Sequence, residues 1–231
     1  FLPLVYWLGR HLKSNNHDTS NSKLTKSKKN LIVSWNRSQV LKDLRFYQVL
    51  PGLLASPFIV TGVFFHQIHL IETKSWSITL LASSYPFFAL SVIGVTFGAG
   101  WIIDRFGTVH LLRFFLLPLA FGLILIAGTD KAFAISIFMI LMGASAGSAT
   151  IVISTLWVEL YGINYIGSIR SMFFSMVVLA TSISPALMGL LLDIGVTLEI
   201  QFIIFAIYIF ICSIIFAILT PNLLIARSPP S

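Results

Sequence analysis

Charged side chains are scarce in this 231-residue chain, and their scarcity restricts the class of protein. Only 10% of the residues are Asp, Glu, Lys or Arg, whereas water-soluble domains contain about 25%. Apolar residues make up 57% of the sequence, and the mean hydropathy is +0.92. This composition excludes an ordinary water-soluble globular protein.

Cysteine is almost absent as well. The single cysteine, Cys212, stands in an uncharged apolar run, so the chain can form neither an intrachain disulfide nor a Cys-x-x-Cys metal or redox site. We expect Cys212 to pack inertly. No apolar run carries a nucleophile beside a base or a His and carboxylate cluster, so we predict no enzyme, cofactor or metal site.

The positive charge is confined to one segment. The formal net charge is +7, and residues 10–45 hold nine basic and two acidic residues, which leaves six of each sign in the rest of the chain. A basic surface for nucleic acid is therefore disfavoured. We predict a disordered linker at 11–30 from its Ser, Asn, Thr and Lys content. For 35–47 we predict an amphipathic helix on an anionic membrane surface, with an extended basic connector as the alternative.

Long uncharged runs predict an all-α membrane protein with six transmembrane helices in a domain at 46–226. Most of these runs exceed the roughly 20 residues that cross a bilayer, and the third does so if it begins near Val109 and includes Arg113. A buried soluble helical bundle is the disfavoured alternative, because it would lack a solvated face. The runs are 46–71, 75–103, 114–129, 132–158, 171–192 and 200–226.

Lys and Arg are distributed unequally between the two sides of the membrane. The short loops make neighbouring spans antiparallel, which puts 13 Lys and Arg on the side of the basic segment and two on the other. The positive-inside bias predicts that the linker at 10–45 and the tail at 227–231 are cytoplasmic. The apolar residues 1–9 are too short to span, and we expect them to be the end of a preceding transmembrane helix.

Charged residues are absent from the interior of the spans. The first span instead has His66, Gln67 and His69 in its outer third. Gly62, His66 and His69 lie on one helical face. That face is a candidate for lining a solute cavity and binding a proton. In the alternative, His66 is hydrogen-bonded within the helix bundle and His69 lies at the membrane interface.

The fourth span carries a stripe of small residues. Gly143, Gly147, Thr150 and Ser154 share one helical face. Such stripes let helices approach closely, so helix packing is favoured over lining a pore.

The most specific motif is Gly-x-x-x-Asp-Arg-x-Gly, formed by Gly100, Asp104, Arg105 and Gly107 after the second span. Glu159 and Arg170 lie on the same side of the membrane. We expect Asp104 to lie near the N-terminus of the fifth helix and to form a latch there that opens in another state. The alternative is an ordinary interfacial ion pair.

This motif between the second and third of six spans, after a basic linker, resembles the major facilitator superfamily. The resemblance implies the C-terminal half of a twelve-helix fold, with an N-terminal six-helix half as partner. Residues 35–67 and 167–193 are similar to bacterial members of the monocarboxylate and oxalate-formate branch, although residues 108–110 replace the basic residues that often follow the motif.

By this resemblance we expect a secondary transporter in the cell membrane that moves a small solute, such as a small organic anion, by alternating access. A coupling proton would be bound by His66 or by the N-terminal half. The rival hypothesis is a six-span scaffold or accessory subunit without transport activity. The residues expected to line the cavity are Thr61, His66, Gln67, Ser145, Ser148 and Ser154. The residues expected to form the gate are Gly100, Asp104, Arg105, Gly107, Glu159 and Arg170.

Overall fold

The computed structural model describes residues 34–224. The predicted helix end at 1–9, the predicted disordered stretch at 11–30 and the predicted tail at 227–231 lie outside the described residues. Their boundaries therefore stay predictions.

Residues 34–224 are α-helical throughout, apart from short turns. Six stretches are long and apolar enough to cross a membrane: Leu44–Thr73, Ile78–Phe106, Thr108–Gly128, Ala134–Tyr161, Ile166–Asp193 and Leu198–Pro221. The predicted all-α membrane fold with six spans is confirmed. The helices are α1 (Arg37–Val40), α2 (Leu44–Thr73), α3 (Ile78–Phe106), α4 (Thr108–Leu112), α5 (Leu117–Gly128), α6 (Ala134–Tyr161), α7 (Ile166–Asp193) and α8 (Leu198–Leu224).

The third span is a broken helix. α4 ends at Leu112, and α5 begins at Leu117 with Pro118 in its first turn. Proline is tolerated at that position because the first N–H groups of a helix have no partner within it. Arg113 lies in the break, with its guanidinium carbon 5.5 Å from the centre of the Phe114 ring. The prediction that this span includes Arg113 is confirmed.

The turns alternate between two faces of the domain. We call the face with the turns at Gly107 and Gly162 the near face, and the face with the turns after α2, α5 and α7 the far face. Gly107 and Gly162 have φ of 82° and 79°, a left-handed conformation that residues with side chains rarely adopt. They let α3 and α6 end abruptly, so that the next span begins within a few residues.

Burial differs strongly among the spans. Within the most apolar 18 residues of each span, 56% are buried in α6, but only 11% in α3 and 11% in α7. α6 packs against α3, α5 and α2, whereas α7 packs mainly against α2. α3 and α7 thus keep wide apolar faces, with large exposed side chains such as Phe97 and Val178.

α3 and α6 meet through glycines. A Cβ at Gly147 would lie 2.6 Å from the carbonyl oxygen of Val92, and one at Gly143 would lie 2.6 Å from that of Phe88. The Ser91 hydroxyl donates a 2.6 Å hydrogen bond to the carbonyl oxygen of Ile140 across the same contact. The packing role predicted for the stripe is confirmed for its two glycines.

Residues 35–47 do not form the single surface helix that the sequence predicts. α1 has only four residues, and a turn at 41–43 separates it from α2. Trp35 and Phe46 are buried in the protein, and the Phe46 ring centre lies 5.4 Å from that of Trp157. Trp35 and Phe46 thus pack against Tyr161 and Trp157 of α6 instead of a lipid surface, whereas Leu44 at the start of α2 is 73% exposed.

A buried ion pair fixes this segment at the near face. Arg45 Nε lies 2.9 Å from an oxygen of Asp43, and both side chains are about 5% exposed (5% and 6%). The Arg45 guanidinium lies over the rings of Trp35 and Tyr161, at 5.5 and 6.0 Å. The backbone N–H of Trp35 donates a 3.0 Å hydrogen bond to the carbonyl oxygen of Tyr161. We call Trp35, Asp43, Arg45 and Tyr161 the near-face cluster.

A lysine joins the three turns of the far face. Lys74 Nζ lies 2.7 Å from a carboxylate oxygen of Asp130 and 3.6 Å from one of Glu199. The Trp76 indole N–H donates a 2.8 Å hydrogen bond to the carbonyl oxygen of Asp130. We call Lys74, Asp130 and Glu199 the Lys74 clamp. Asp130 follows the third span and Glu199 follows the fifth, so the clamp connects all three far-face turns.

Candidate functional site

A cavity of about 360 Å³ lies between α2, α6 and α7. We call it the α2/α6/α7 cavity. Its polar wall is formed by Ser56, Thr150, Ser154 and Arg170, and the remaining wall is apolar. The apolar lining residues are Pro57, Val60, Ala146, Ala149, Ile153, Phe174 and Val177.

Helical spacing aligns these side chains. Thr150 and Ser154 are four residues apart on α6, and Arg170 and Phe174 are four residues apart on α7, so each pair shares one helix face. The stripe predicted on α6 is thus divided in two. Its glycines pack against α3, and its Thr150 and Ser154 line the cavity.

Arg170 is the one charged residue in this wall, and it is partly buried. Its Nη2 donates a hydrogen bond to the carbonyl oxygen of Ser154. Its Nε is buried and has no hydrogen-bond partner within residues 34–224. No carboxylate of this described part lies within 4.0 Å of the guanidinium nitrogens. The sequence placed Arg170 near the gate but gave no sign that it borders a cavity.

Two hydroxyl groups of the cavity wall retain the capacity to accept hydrogen bonds, those of Thr150 and Ser154. Ser154 Oγ donates to the carbonyl oxygen of Ile151 at 2.9 Å, and Thr150 Oγ1 donates to that of Ala146 at 3.0 Å. Each hydroxyl proton is therefore held by the helix backbone, whereas the oxygen lone pairs remain for a solute or water.

Of the six residues expected to line a cavity, Ser154 lies on this wall and the other five do not. Ser148 donates to the carbonyl oxygen of Ala144 at 2.8 Å and lies near that of Phe115, in the break of the third span. Ser145 is fully buried. α6 is packed on several sides, so its hydroxyl groups divide between helix contacts and the cavity. Thr61 is half-buried on α2.

The histidines lie toward the far face. His66 Nδ1 is 3.0 Å from the carbonyl oxygen of Gly62, one turn earlier on α2. The Nε2 atom approaches Gly189 of α7, where a Cβ would lie 3.6 Å away. The neighbouring Gln67 has a buried side-chain oxygen without a hydrogen-bond partner among the described residues. His69 borders a separate far-face cavity of about 190 Å³.

The Asp-Arg motif is exposed at the near face. Asp104 makes no hydrogen bond or ion pair within residues 34–224. The Arg105 guanidinium lies over the ring of Trp101 at 5.9 Å. Gly107 forms the turn into α4, and Gly100 has open space beside it. The expected contact of Asp104 with the start of the fifth span is not among the interactions of the described residues.

Glu159 caps the third span. Its Oε1 accepts hydrogen bonds from the Thr108 N–H at 3.0 Å and from the Thr108 hydroxyl at 2.6 Å. Thr155, one turn earlier on α6, lies 2.8 Å from the same hydroxyl. A carboxylate at a helix N-terminus is stabilised by the free amides and the helix dipole. Sequence reasoning expected a carboxylate at the start of the fifth span, from Asp104, and did not predict this cap of the third span or its partners Thr108 and Thr155.

A second cavity, of about 400 Å³, lies between α2, α7 and α8. Its wall is almost wholly apolar, and it includes Ala180 and Phe205. The Tyr208 hydroxyl in this wall donates to the carbonyl oxygen of Pro51 at 3.1 Å. This cavity offers few groups to orient a polar solute, so the α2/α6/α7 cavity is the better candidate site.

The comparison with known families agrees with this architecture. No curated protein matches the chain. The model of the Major Facilitator Superfamily matches residues 1–185, which is most of the sequence. The match does not distinguish branches of the superfamily, so the similarity to the monocarboxylate and oxalate-formate branch stays a prediction. With six membrane-spanning helices and a family match over more than half of its length, the chain belongs to the Major Facilitator Superfamily of membrane transporters.

Proposed function

We propose that the protein is a secondary transporter that moves a small solute by alternating access and binds it in the α2/α6/α7 cavity. The observation that carries the proposal is this cavity between three of the six candidate membrane spans, with three hydroxyl groups and one guanidinium in an otherwise apolar wall. Mostly apolar pockets with a few placed polar groups are typical of small-molecule sites.

In this proposal the six described spans move as one part, and an N-terminal six-span half is the other. α3 and α7 keep wide apolar faces that nothing within residues 34–224 covers. The glycine contact joins α3 to α6, the near-face cluster joins the start of α2 to α6, and the Lys74 clamp joins the far-face turns. Such a unit suits rocking against a partner, because packed interfaces shift between discrete arrangements rather than deforming gradually.

We place the near face in the cytoplasm and the protein in the cell membrane. The support is the bias of Lys and Arg within residues 34–224, where six lie toward the near face and two, Lys74 and Lys131, toward the far face. A coupling proton is assigned to His66, whose ring lies between α2 and α7. Histidine is the side chain whose ordinary pKa is closest to physiological pH.

Filling the cavity tests the site directly. We expect Ala146→Phe to reduce solute exchange to background in proteoliposomes, because the ring would occupy the α2/α6/α7 cavity. The assay is counterflow of radiolabelled lactate, oxalate, glycerol 3-phosphate and glucose by the natural protein.

Ala180→Phe is the matched control, since Ala180 is also half-buried and lines the apolar cavity. We expect its exchange to stay within about twofold of the natural protein. Equal loss in both variants would contradict the assignment of the site. If the natural protein exchanges no solute of any class, the transporter proposal fails and the scaffold hypothesis replaces it.

The gate makes a different prediction. Asp104 is exposed and unpaired within the described part, so its carboxylate is available to a group that approaches in one state of the cycle. We expect Asp104→Asn to slow uptake at least about tenfold, the effect of losing one charge-assisted hydrogen bond. Equilibrium solute binding should stay within about twofold. Weakened binding with a normal uptake rate would contradict a gating role.

A further inference from the structure

We infer that Arg170 is a solute-binding residue, and that the solute carries a carboxylate or phosphate group recognised by its guanidinium. The inference rests on the proposed function, and it narrows the small organic anion expected from the sequence to a solute whose anionic group is held by one named residue. It also gives Arg170 a role distinct from the gate, in which the sequence alone placed it.

The first argument is the position of the guanidinium. Arg170 lines the α2/α6/α7 cavity together with Ser154, whose carbonyl oxygen accepts a hydrogen bond from Nη2. That bond ties the arginine to α6 and holds its head at the cavity wall. An arginine has five N–H donors, and the Nε donor has no acceptor within residues 34–224.

The second argument is the absence of a counter-charge nearby in the described part of the chain. Asp43 pairs with Arg45, and Asp130 and Glu199 lie at Lys74 on the far face. Glu159 is hydrogen-bonded to Thr108, and no acidic residue contributes to the cavity wall. A cation in an apolar wall is costly unless an anion compensates it. An anionic solute would supply that compensation.

The third argument is the rest of the wall. Pro57, Val60 and Phe174 are apolar, and Thr150 and Ser154 offer hydroxyl oxygens beside the charge. This combination fits an organic molecule with one anionic group and a short apolar or hydroxylated body. The volume of about 360 Å³ is at the small end for ligand pockets. Guanidinium matches the planar oxygen pair of a carboxylate and also binds phosphate.

The test measures binding rather than transport. The purified natural protein in lipid-free detergent is titrated with radiolabelled lactate, oxalate, glycerol 3-phosphate and glucose. We expect at least one of the three anions to bind, and Arg170→Gln to weaken its binding at least about tenfold. Arg170→Lys should retain part of the affinity, because it keeps the charge but loses the planar fork.

Arg37→Gln is the matched control. Arg37 is an exposed arginine of α1 on the same face, and its replacement should leave the affinity unchanged. Thermal unfolding of each variant shows whether the protein remains folded. If Arg170→Gln is unfolded, the titration of Arg170→Lys tests the inference in its place. An affinity for the anion equal to that of the natural protein would contradict recognition by the guanidinium fork.

The failures of the two proposals are distinguishable. Binding of glucose but of no anion would overturn the inference and leave the transporter intact. Unchanged anion affinity in a folded Arg170→Gln with slow uptake would also overturn it, and would return Arg170 to the gate. In the thermal unfolding assay, anionic phospholipid is added as a further ligand. If it raises the unfolding temperature of the natural protein while no soluble anion does, the guanidinium contacts lipid, which contradicts the inference. The absence of exchange for every solute would instead overturn the proposed function.

Discussion

Gly147→Ala is expected to destabilise the folded domain by about 1–3 kcal/mol, although it adds a single methyl group. The new Cβ would lie 2.6 Å from the carbonyl oxygen of Val92 and 3.1 Å from the Thr96 hydroxyl oxygen. A backbone oxygen cannot rotate away as a side chain does, so α3 and α6 would have to separate. These two helices form the most extensive contact among the described spans. The measurement is unfolding by SDS in mixed micelles, followed by tryptophan fluorescence.

Gly94→Ala provides the matched control on the partner helix. Gly94 lies in the middle of α3, and a Cβ there would meet nothing within 4 Å. Because alanine is a better helix former than glycine, we expect this variant to be as stable as the natural protein or more stable by up to about 1 kcal/mol. Equal destabilisation by the two substitutions would mean that the close approach of α3 to α6 is not what requires glycine at position 147.

Asp43→Ala is expected to cost about 3–5 kcal/mol of stability, because it removes the carboxylate from a buried ion pair. Arg45 Nε lies 2.9 Å from Asp43 Oδ2, and the two side chains are 5% and 6% exposed. The same carboxylate caps α2 by accepting the Arg45 N–H at 3.1 Å. The substitution therefore removes both the charge partner of Arg45 and the cap of the first span. The same SDS unfolding assay measures the loss.

Asp43→Asn separates the two contributions. Asparagine is also a good N-cap, so this variant should keep the cap, lose only the charge and be less destabilised than Asp43→Ala. Asp193→Asn, at an exposed position with no ion pair in the described part, should change stability by less than about 0.5 kcal/mol. If Asp43→Ala were as mild as Asp193→Asn, the near-face cluster would contribute nothing to stability.

The spans could be predicted because they depend on local composition. A bilayer requires about 20 apolar residues whatever their neighbours are, so the length of each uncharged run was sufficient. The sequence also predicted that the third span includes Arg113, but it did not predict that the helix breaks between Leu112 and Leu117. The segment at 35–47 was mispredicted because its pattern of apolar residues fits a membrane surface as well as it fits α6. The tertiary contacts of Trp35 with Tyr161 and of Phe46 with Trp157 distinguish the two.

The candidate site was predictable only in part, for a geometric reason. Helical periodicity tells which residues share a face, but not which neighbour that face meets. The stripe from Gly143 to Ser154 was recognised as one face, yet its glycines meet α3 and its Ser154 meets Arg170 of α7. Similarly, Asp104 and Glu159 are both acidic residues at the near face. Only the three-dimensional contact shows that Glu159 is the one that caps the third span.

The Lys74 clamp has a consequence for the order in which the protein is assembled. Lys74 follows the first span, but its partners Asp130 and Glu199 are 56 and 125 residues further along the chain. Because synthesis proceeds from the N-terminus, the lysine reaches its side of the bilayer before either carboxylate exists there. Its first pairing must await the third span, and its second must await the fifth. The far face is therefore completed late in membrane insertion, when the final hairpin arrives.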